Sequence, residues 1–460
     1  LTQDPAEIAN AILENSDWEA GQQLRDLGLN EPGKLVPTLE ILLDRKQYNS
    51  HLWNMALDVC RNITDQNQRK KLFDDTMALF DNAPNSLVSI GADPFAHFLE
   101  TNAKLAEGER RGAFLGFWDQ AWTAAVNDKS QASIDPTDAV TSAINDAGGK
   151  LAEALLTVLW LGEPKVGKGL PEDIRQRLEK VAISEHTAGQ NGRILLAAHL
   201  VNLHAVDRSW VRDKLVPYMD WTSAEAGAMW QGFLWPSTIS YELFDDLKEP
   251  FLALPYHTNQ VGDDFARSYA GLVALGLLET PDLFTKSDCE KLFSRLPPSY
   301  RAKILSEFET HLKSVGDQAP LLWRNSIKPI VRAYFPPPRR QEDECIDSVS
   351  EAVASMVVST GEAFPNALET AINKGLLTPI LRPDKLISDL EPKNHQEVPQ
   401  RIARDHPYAV LRLLNQVISD RTEHWALYRL NVVLNEIREA APQVAQTPDF
   451  QKLYELTQRG

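Results

Sequence analysis

Arg324, Lys328 and Arg332 recur at every fourth position, a spacing that places three cations on one face of a helix. They lie in a stretch, Gln318 to Gln341, that holds no acidic residue, in a chain where roughly one residue in seven is Asp or Glu. Trp323, Ile327 and Val331 form the adjoining apolar stripe, and Pro329 inside the run predicts a kink or break there. Tyr334-Phe335 and Pro336-Pro337-Pro338 end the segment, and Arg339 and Arg340 follow. A positive face on an acidic protein focuses its field onto an anionic partner: phosphate, nucleic acid or an acidic protein surface. The other reading is an internal face ion-paired to neighbouring acidic helices. The sequence leaves both open.

A second dense patch runs from Trp221 through Trp230-Gln231-Gly232-Phe233-Leu234-Trp235-Pro236. Three tryptophans within fifteen residues supply much apolar area. In stacked helices that area is core; where exposed, Trp230 and Trp235 would be apolar anchors for a protein partner.

Reactive chemistry is poorly supported. Gly162-Glu-Pro-Lys-Val-Gly167-Lys168-Gly169 nearly matches a phosphate loop, but Gly169 stands where the magnesium-binding hydroxyl belongs, and the preceding Leu151–Leu161 has helical spacing. His199 and His204 are five residues apart, about 140° around a helix, too far for a shared zinc ion. The doublets Asp74-Asp75, Asp245-Asp246 and Asp263-Asp264, and Glu342-Asp343-Glu344, read as solvated faces in a chain with 64 acids. Glu163-Pro-Lys165 and Glu391-Pro-Lys393 imitate the E-x-K of a nuclease, yet proline spoils the strand that core requires. No serine lies in a G-x-S-x-G elbow and no cysteine has an evident histidine partner. The reading is a chain with no catalytic residue, no metal site and no cofactor.

The elements that must carry these residues are helices. Asp4-Pro5, Asp93-Pro94, Asp135-Pro136, Thr280-Pro281 and Pro297-Pro298 each have the grammar of a helix start. Behind such starts run stripes such as Val36, Leu39, Leu42, Leu43 and Leu52, Met55, Ala56, Val59. Strand signals are nearly absent. About twenty medium helices in 460 residues predict an all-α fold, an irregular α-solenoid of HEAT-like stacked pairs, or two or three packed helical subdomains. The expected division is 1–130, 131–335 and 336–460, with breaks sought at Asn127–Pro136, Gly162–Pro171 and Phe335–Glu344.

Apolar residues at 43% are enough for a sizeable core, and a net charge of −17 argues against a general nucleic-acid coat. Cys60, Cys289 and Cys345 are too few and too scattered for a disulfide framework, which points to a reducing, cytoplasmic setting. The chain opens on Leu1 without a leader pattern, which reads as a segment of a longer protein.

Trp230-x-Gly232-x-x-Trp235-Pro236, the run from Leu321 to Pro336, Gly361-Glu-Ala-Phe-Pro365 and Leu411-Arg-Leu-Leu-Asn-Gln-Val-Ile418 carry a resemblance. Over about residues 200–440 the chain resembles a helical region found C-terminal in bacterial sirtuin-like anti-phage defence proteins. The resemblance implies an NAD-hydrolysing domain in a parent protein, with this region regulating it or sensing a phage component. The sirtuin glycine loop and catalytic histidine have no counterpart here. The expected function is therefore a non-catalytic helical scaffold or sensor. It binds a protein partner: a phage protein, its own effector domain or another copy. The alternatives are an enzyme whose site is assembled from distant acids and histidines, and a nucleic-acid-binding helical array.

Overall fold

The computed structural model describes residues 4–128, 134–236, 238–280, 283–337, 346–392, 401–420 and 422–458. The fold is all-α, with no strand among the described residues. None of its helices is long and apolar enough to cross a membrane among those residues. The chain separates into two compact units, Leu1–Leu247 and Lys248–Gly460, where the sequence reading divides it in three.

The first unit is built on α1 (Pro5–Leu13), α2 (Asp17–Asn30), α3 (Pro32–Asp44), α4 (Ser50–Asn62), α5 (Gln66–Asp81) and α6 (Asp93–Asn102). It continues with α7 (Arg110–Asn127), α8 (Ala147–Leu161), α9 (Glu172–Ile183), α10 (Thr187–Ala198) and α11 (Ala226–Leu234). Its helices pack in two rows. One runs α2, α4, α6, α8, α10, α11; the other runs α1, α3, α5, α7. Each helix thus touches the next in its own row as well as its chain neighbour, which is how stacked helix pairs bury their apolar stripes. Leu39 and Leu42 of α3, and Leu52, Ala56 and Val59 of α4, are buried as their spacing requires.

Aromatic rings fill the seam between the rows. Phe80 of α5 meets Phe95 of α6 edge-on at 4.8 Å and stacks on Phe117 of α7 at 5.7 Å, while Phe73 stacks on Phe98 at 5.4 Å. Each such pair is worth about 0.5–1.5 kcal/mol beyond the area it buries. The Trp118 indole donates to the Leu151 carbonyl at 2.9 Å, tying α7 to α8.

His97 bridges α4 and α6. Its Nε2 lies 3.3 Å from Asp58 Oδ1 and its Nδ1 lies 3.6 Å from Glu100 Oε2. The Glu100 carboxylate, then that of Asp58, raise the imidazole's pKa above the usual histidine value, while burial opposes them. A raised folded-state value means the pairing stabilises the unit fully below pH 6.5 and is lost as pH rises through the folded value. We expect thermal stability to fall as pH rises above 6.5, and His97→Gln to flatten that slope; an unchanged slope in the variant would assign it elsewhere.

The second unit holds α12 (Ala266–Leu278), α13 (Lys286–Arg295), α14 (Pro298–Ser314), α15 (Lys328–Tyr334), α16 (Ile346–Val358) and α17 (Phe364–Asn373). Behind them come α18 (Asp384–Leu390), α19 (Pro407–Val417), α20 (Leu430–Ala440) and α21 (Pro448–Gln458). Again two rows form: α12, α14, α16, α18, α20, and α13, α15, α17, α19, α21. The charge is shared unequally. The first unit has 22 Lys and Arg against 36 Asp and Glu, a balance of −14; the second has 25 against 28, a balance of −3.

Candidate functional site

The cation-bearing segment begins as a short helix, Ala319–Leu322, passes through a π-helical turn, Trp323–Ile327, and continues as α15. Pro329 accounts for the wide turn. It has no N–H to give the Asn325 carbonyl and its ring would strike that carbonyl in an α-helix. The ladder instead lengthens to a Lys328 N–H bond to the Trp323 carbonyl, which absorbs the proline without breaking the helix.

Trp323, Ile327 and Val331 are buried, and Phe335 packs on Phe293 at 4.8 Å. The Trp323 indole N–H and Lys328 Nζ both donate to Asn366 Oδ1, at 3.3 and 2.9 Å. Lys374 Nζ donates to the Arg332 carbonyl at 3.0 Å and so caps the end of α15. Arg324 and Arg332 are exposed, and among the described residues neither meets a carboxylate. Lys328 spends its charge on a neutral amide. Elsewhere arginines are closed by acids: Arg110 by Asp74, Arg111 by Asp173, Arg177 by Asp119. Among the described residues, then, Arg324 and Arg332 take no part in an internal ion-pair face. Arg339 and Arg340 lie outside the described residues.

At the C-terminal end of α15 a cleft of about 510 Å³ opens between that helix, α13 and the start of α14. Phe293, Leu296, Pro297 and Pro336 line its apolar part. Arg295 stands at its edge with the guanidinium held 5.2 Å over the Tyr256 ring, and Glu290 faces it, 3.8 Å from Lys286. Tyr334 stacks on Phe293 at 5.8 Å and hydrogen-bonds Cys289. Burial pushes the Cys289 thiol up, with Asp288 adding to it, and burial likewise raises Tyr334. Burial also takes Cys60 up to about 12. Neither thiol is poised as a nucleophile at neutral pH. The paired prolines at 297–298 and 336–337 are the sequence signal for this cleft, read from sequence only as helix punctuation.

The tryptophan patch divides. Trp230 is a correction: it is 0% exposed, stacked on Trp221 at 5.8 Å, with its indole N–H on the Met219 carbonyl. It is core and cannot anchor a partner. Gln231 reaches back to bond the Ala139 amide and the Pro136 carbonyl, both at 2.8 Å. Gly232 packs so closely that a Cβ would lie 2.3 Å from the Ile194 carbonyl oxygen. Trp-Gln-Gly is thus a packing motif. Trp235 is 52% exposed.

The phosphate-loop mimic is accounted for by its backbone. The Gly167 and Gly169 amides donate to the Ala205 and Val206 carbonyls at 2.8 and 3.0 Å, so they are turned inward rather than toward a phosphate. Both glycines have positive φ, 69° and 83°, which explains their type. His199 bonds Glu153 and His204 bonds Asp246, on separate helices. Asp246 also receives Arg208 in two bonds, at 2.9 and 3.1 Å, so that acid is structural. Glu391 is paired with Arg429. Glu342-Asp343-Glu344 lies outside the described residues. No group of three metal-ligating side chains converges among the described residues.

No protein-family model matches the chain, and no solved structure does. A curated relative is the uncharacterized protein y4cA of Sinorhizobium fredii (strain NBRC 101917 / NGR234), 21% identical over 357 residues. That match covers 75% of this chain and 28% of the relative, so the chain spans under a third of that protein's length.

Proposed function

We propose that this chain is a non-catalytic helical-repeat binding module that holds an acidic protein segment on the cations of its second unit. The observation behind the reading is that Arg324 and Arg332 are exposed without a carboxylate partner among the described residues, on a unit whose balance is only −3. A charge kept solvated and open is available to a partner, whereas the paired arginines of the first unit are consumed internally. A protein segment is favoured over nucleic acid because a partly apolar cleft opens at the C-terminal end of the same helix, lined by Ala333 next to Arg332, and because a chain of net charge −17 is a poor host for a long polyphosphate. On the resemblance alone, the bound partner we propose is an effector domain of the NAD-hydrolysing kind, restrained by this module within a bacterial defence protein.

The test is fluorescence anisotropy with a labelled peptide of six glutamates around a central glycine. Arg324→Glu, Lys328→Glu and Arg332→Glu together should weaken binding about 100-fold while the helical circular dichroism is unchanged. Equal binding by the triple variant removes this site, and tighter binding of a single-stranded oligonucleotide than of the peptide would favour the nucleic-acid reading.

A further inference from the structure

We infer that the cleft between α13, α14 and α15 receives a bulky apolar side chain of the same acidic segment, so that the partner's motif is an aromatic residue flanked by acids. The inference rests on the proposed acidic-segment reading and adds the residue that gives it selectivity. A cleft of about 510 Å³ falls within the size range of sites that enclose a small organic group. Phe293 and Leu296, both nearly fully buried, and Pro297 and Pro336 give it a carbon face for a ring to pack on, beside the polar lining of Ser294 and the buried Arg301.

Arg295, the exposed cation of its lining, fits an acid beside that ring. Arg295 is exposed and its guanidinium is pre-positioned over Tyr256, which lowers the entropy lost on pairing. Arg332 precedes the lining residue Ala333 by one position, and its charge meets no carboxylate among the described residues. Glu290 is the opposing charge, and Lys286 lies 3.8 Å from it. Acids alone would be held by solvated pairs worth little each; an apolar anchor excluded from water between them supplies the affinity.

The measurement compares the hexaglutamate peptide with central glycine against the same peptide with central tryptophan, on the full chain. The tryptophan peptide should bind about tenfold tighter. Ala333→Trp, which fills the cleft from the exposed side of α15, should remove that advantage and leave the glycine peptide's affinity unchanged. Ser294→Trp, on the opposite wall, serves as the second variant should the first lose helicity. Equal affinity for both peptides, or an advantage that survives both variants, overturns the cleft assignment while the cation site stands. Binding of neither peptide removes the acidic-segment reading, and the cleft assignment with it.

Discussion

Replacing Arg193 with methionine is expected to destabilise the first unit by about 3–5 kcal/mol, the range for breaking a buried ion pair by deleting one partner. The side chain is almost wholly buried, and its guanidinium does three things at once. It grips Glu225 in two bonds, Nε to Oε2 at 2.9 Å and Nη2 to Oε1 at 2.6 Å. Through Nη1 it donates to the carbonyls of Val181, Ala182 and Ser184, the open C-terminal end of α9, at 3.3, 3.0 and 2.7 Å. It also lies 4.4 Å over the Tyr218 ring. Methionine keeps much of the volume and leaves a carboxylate without its cation and a helix end without its donor. Lysine supplies one point charge where a planar fork is needed, so Arg193→Lys should recover only part of the loss. Urea unfolding followed by circular dichroism reads the difference; a change under 1 kcal/mol in Arg193→Met would show that the clamp is dispensable.

Gly148→Val should cost about 3 kcal/mol or more, which for a unit of this size lowers the melting temperature by roughly 10 °C. Near the start of α8 a Cβ on Gly148 would lie 2.0 Å from the carbonyl oxygen of Ala188 and 2.5 Å from its Cα, on α10. These are backbone atoms, so no rotamer change relieves the clash. The two helices cross backbone on backbone, and Gly192 of α10 sits at the same crossing, its would-be Cβ 3.4 Å from the Gly148 carbonyl oxygen. Gly112, exposed on α7 with nothing near its would-be Cβ, is the control. Gly112→Ala should be neutral or slightly stabilising, since alanine is the better helix former. Calorimetry on both variants separates the crossing from a general glycine effect; equal, small shifts would contradict it.

What the sequence disclosed is what depends on near neighbours. The all-α class followed from helical spacing, and Leu39, Leu42, Leu52 and Val59 are buried where that spacing puts them. The helix starts at Asp4-Pro5 and Pro297-Pro298 fall where their caps predict, whereas Asp135-Pro136 opens a turn and the helix behind it starts at Ala139, capped by Asp138. Long-range bonds account for the rest. Asn127–Pro136 and Gly162–Pro171 look like linkers because they are polar or glycine-rich. Gln231 binds Pro136 at the end of the first, and the carbonyls of Ala205 and Val206 hold Gly167 and Gly169 of the second, bonds that composition does not disclose. Trp230 and Trp235 are five residues apart with equal claim to a surface role, and Met219 and Trp221 decide that Trp230 belongs to the core. The cleft joins residues about forty positions apart, Glu290–Arg301 and Ala333–Pro337, and the paired prolines that mark each wall carry nothing to say that the two walls meet. Arg193 gave no signal, because its importance lies in carbonyls that any residue type could present.

An acidic partner is expected to land on the second unit's open cations. Hydrogen exchange with and without the hexaglutamate-tryptophan peptide locates that landing directly. Slowed exchange should be confined to the segment around Trp323–Tyr334 and to α13 and the first turn of α14, and should vanish in the Arg324→Glu, Lys328→Glu, Arg332→Glu variant. Protection that falls in the first unit, or that persists in the variant, would contradict the account.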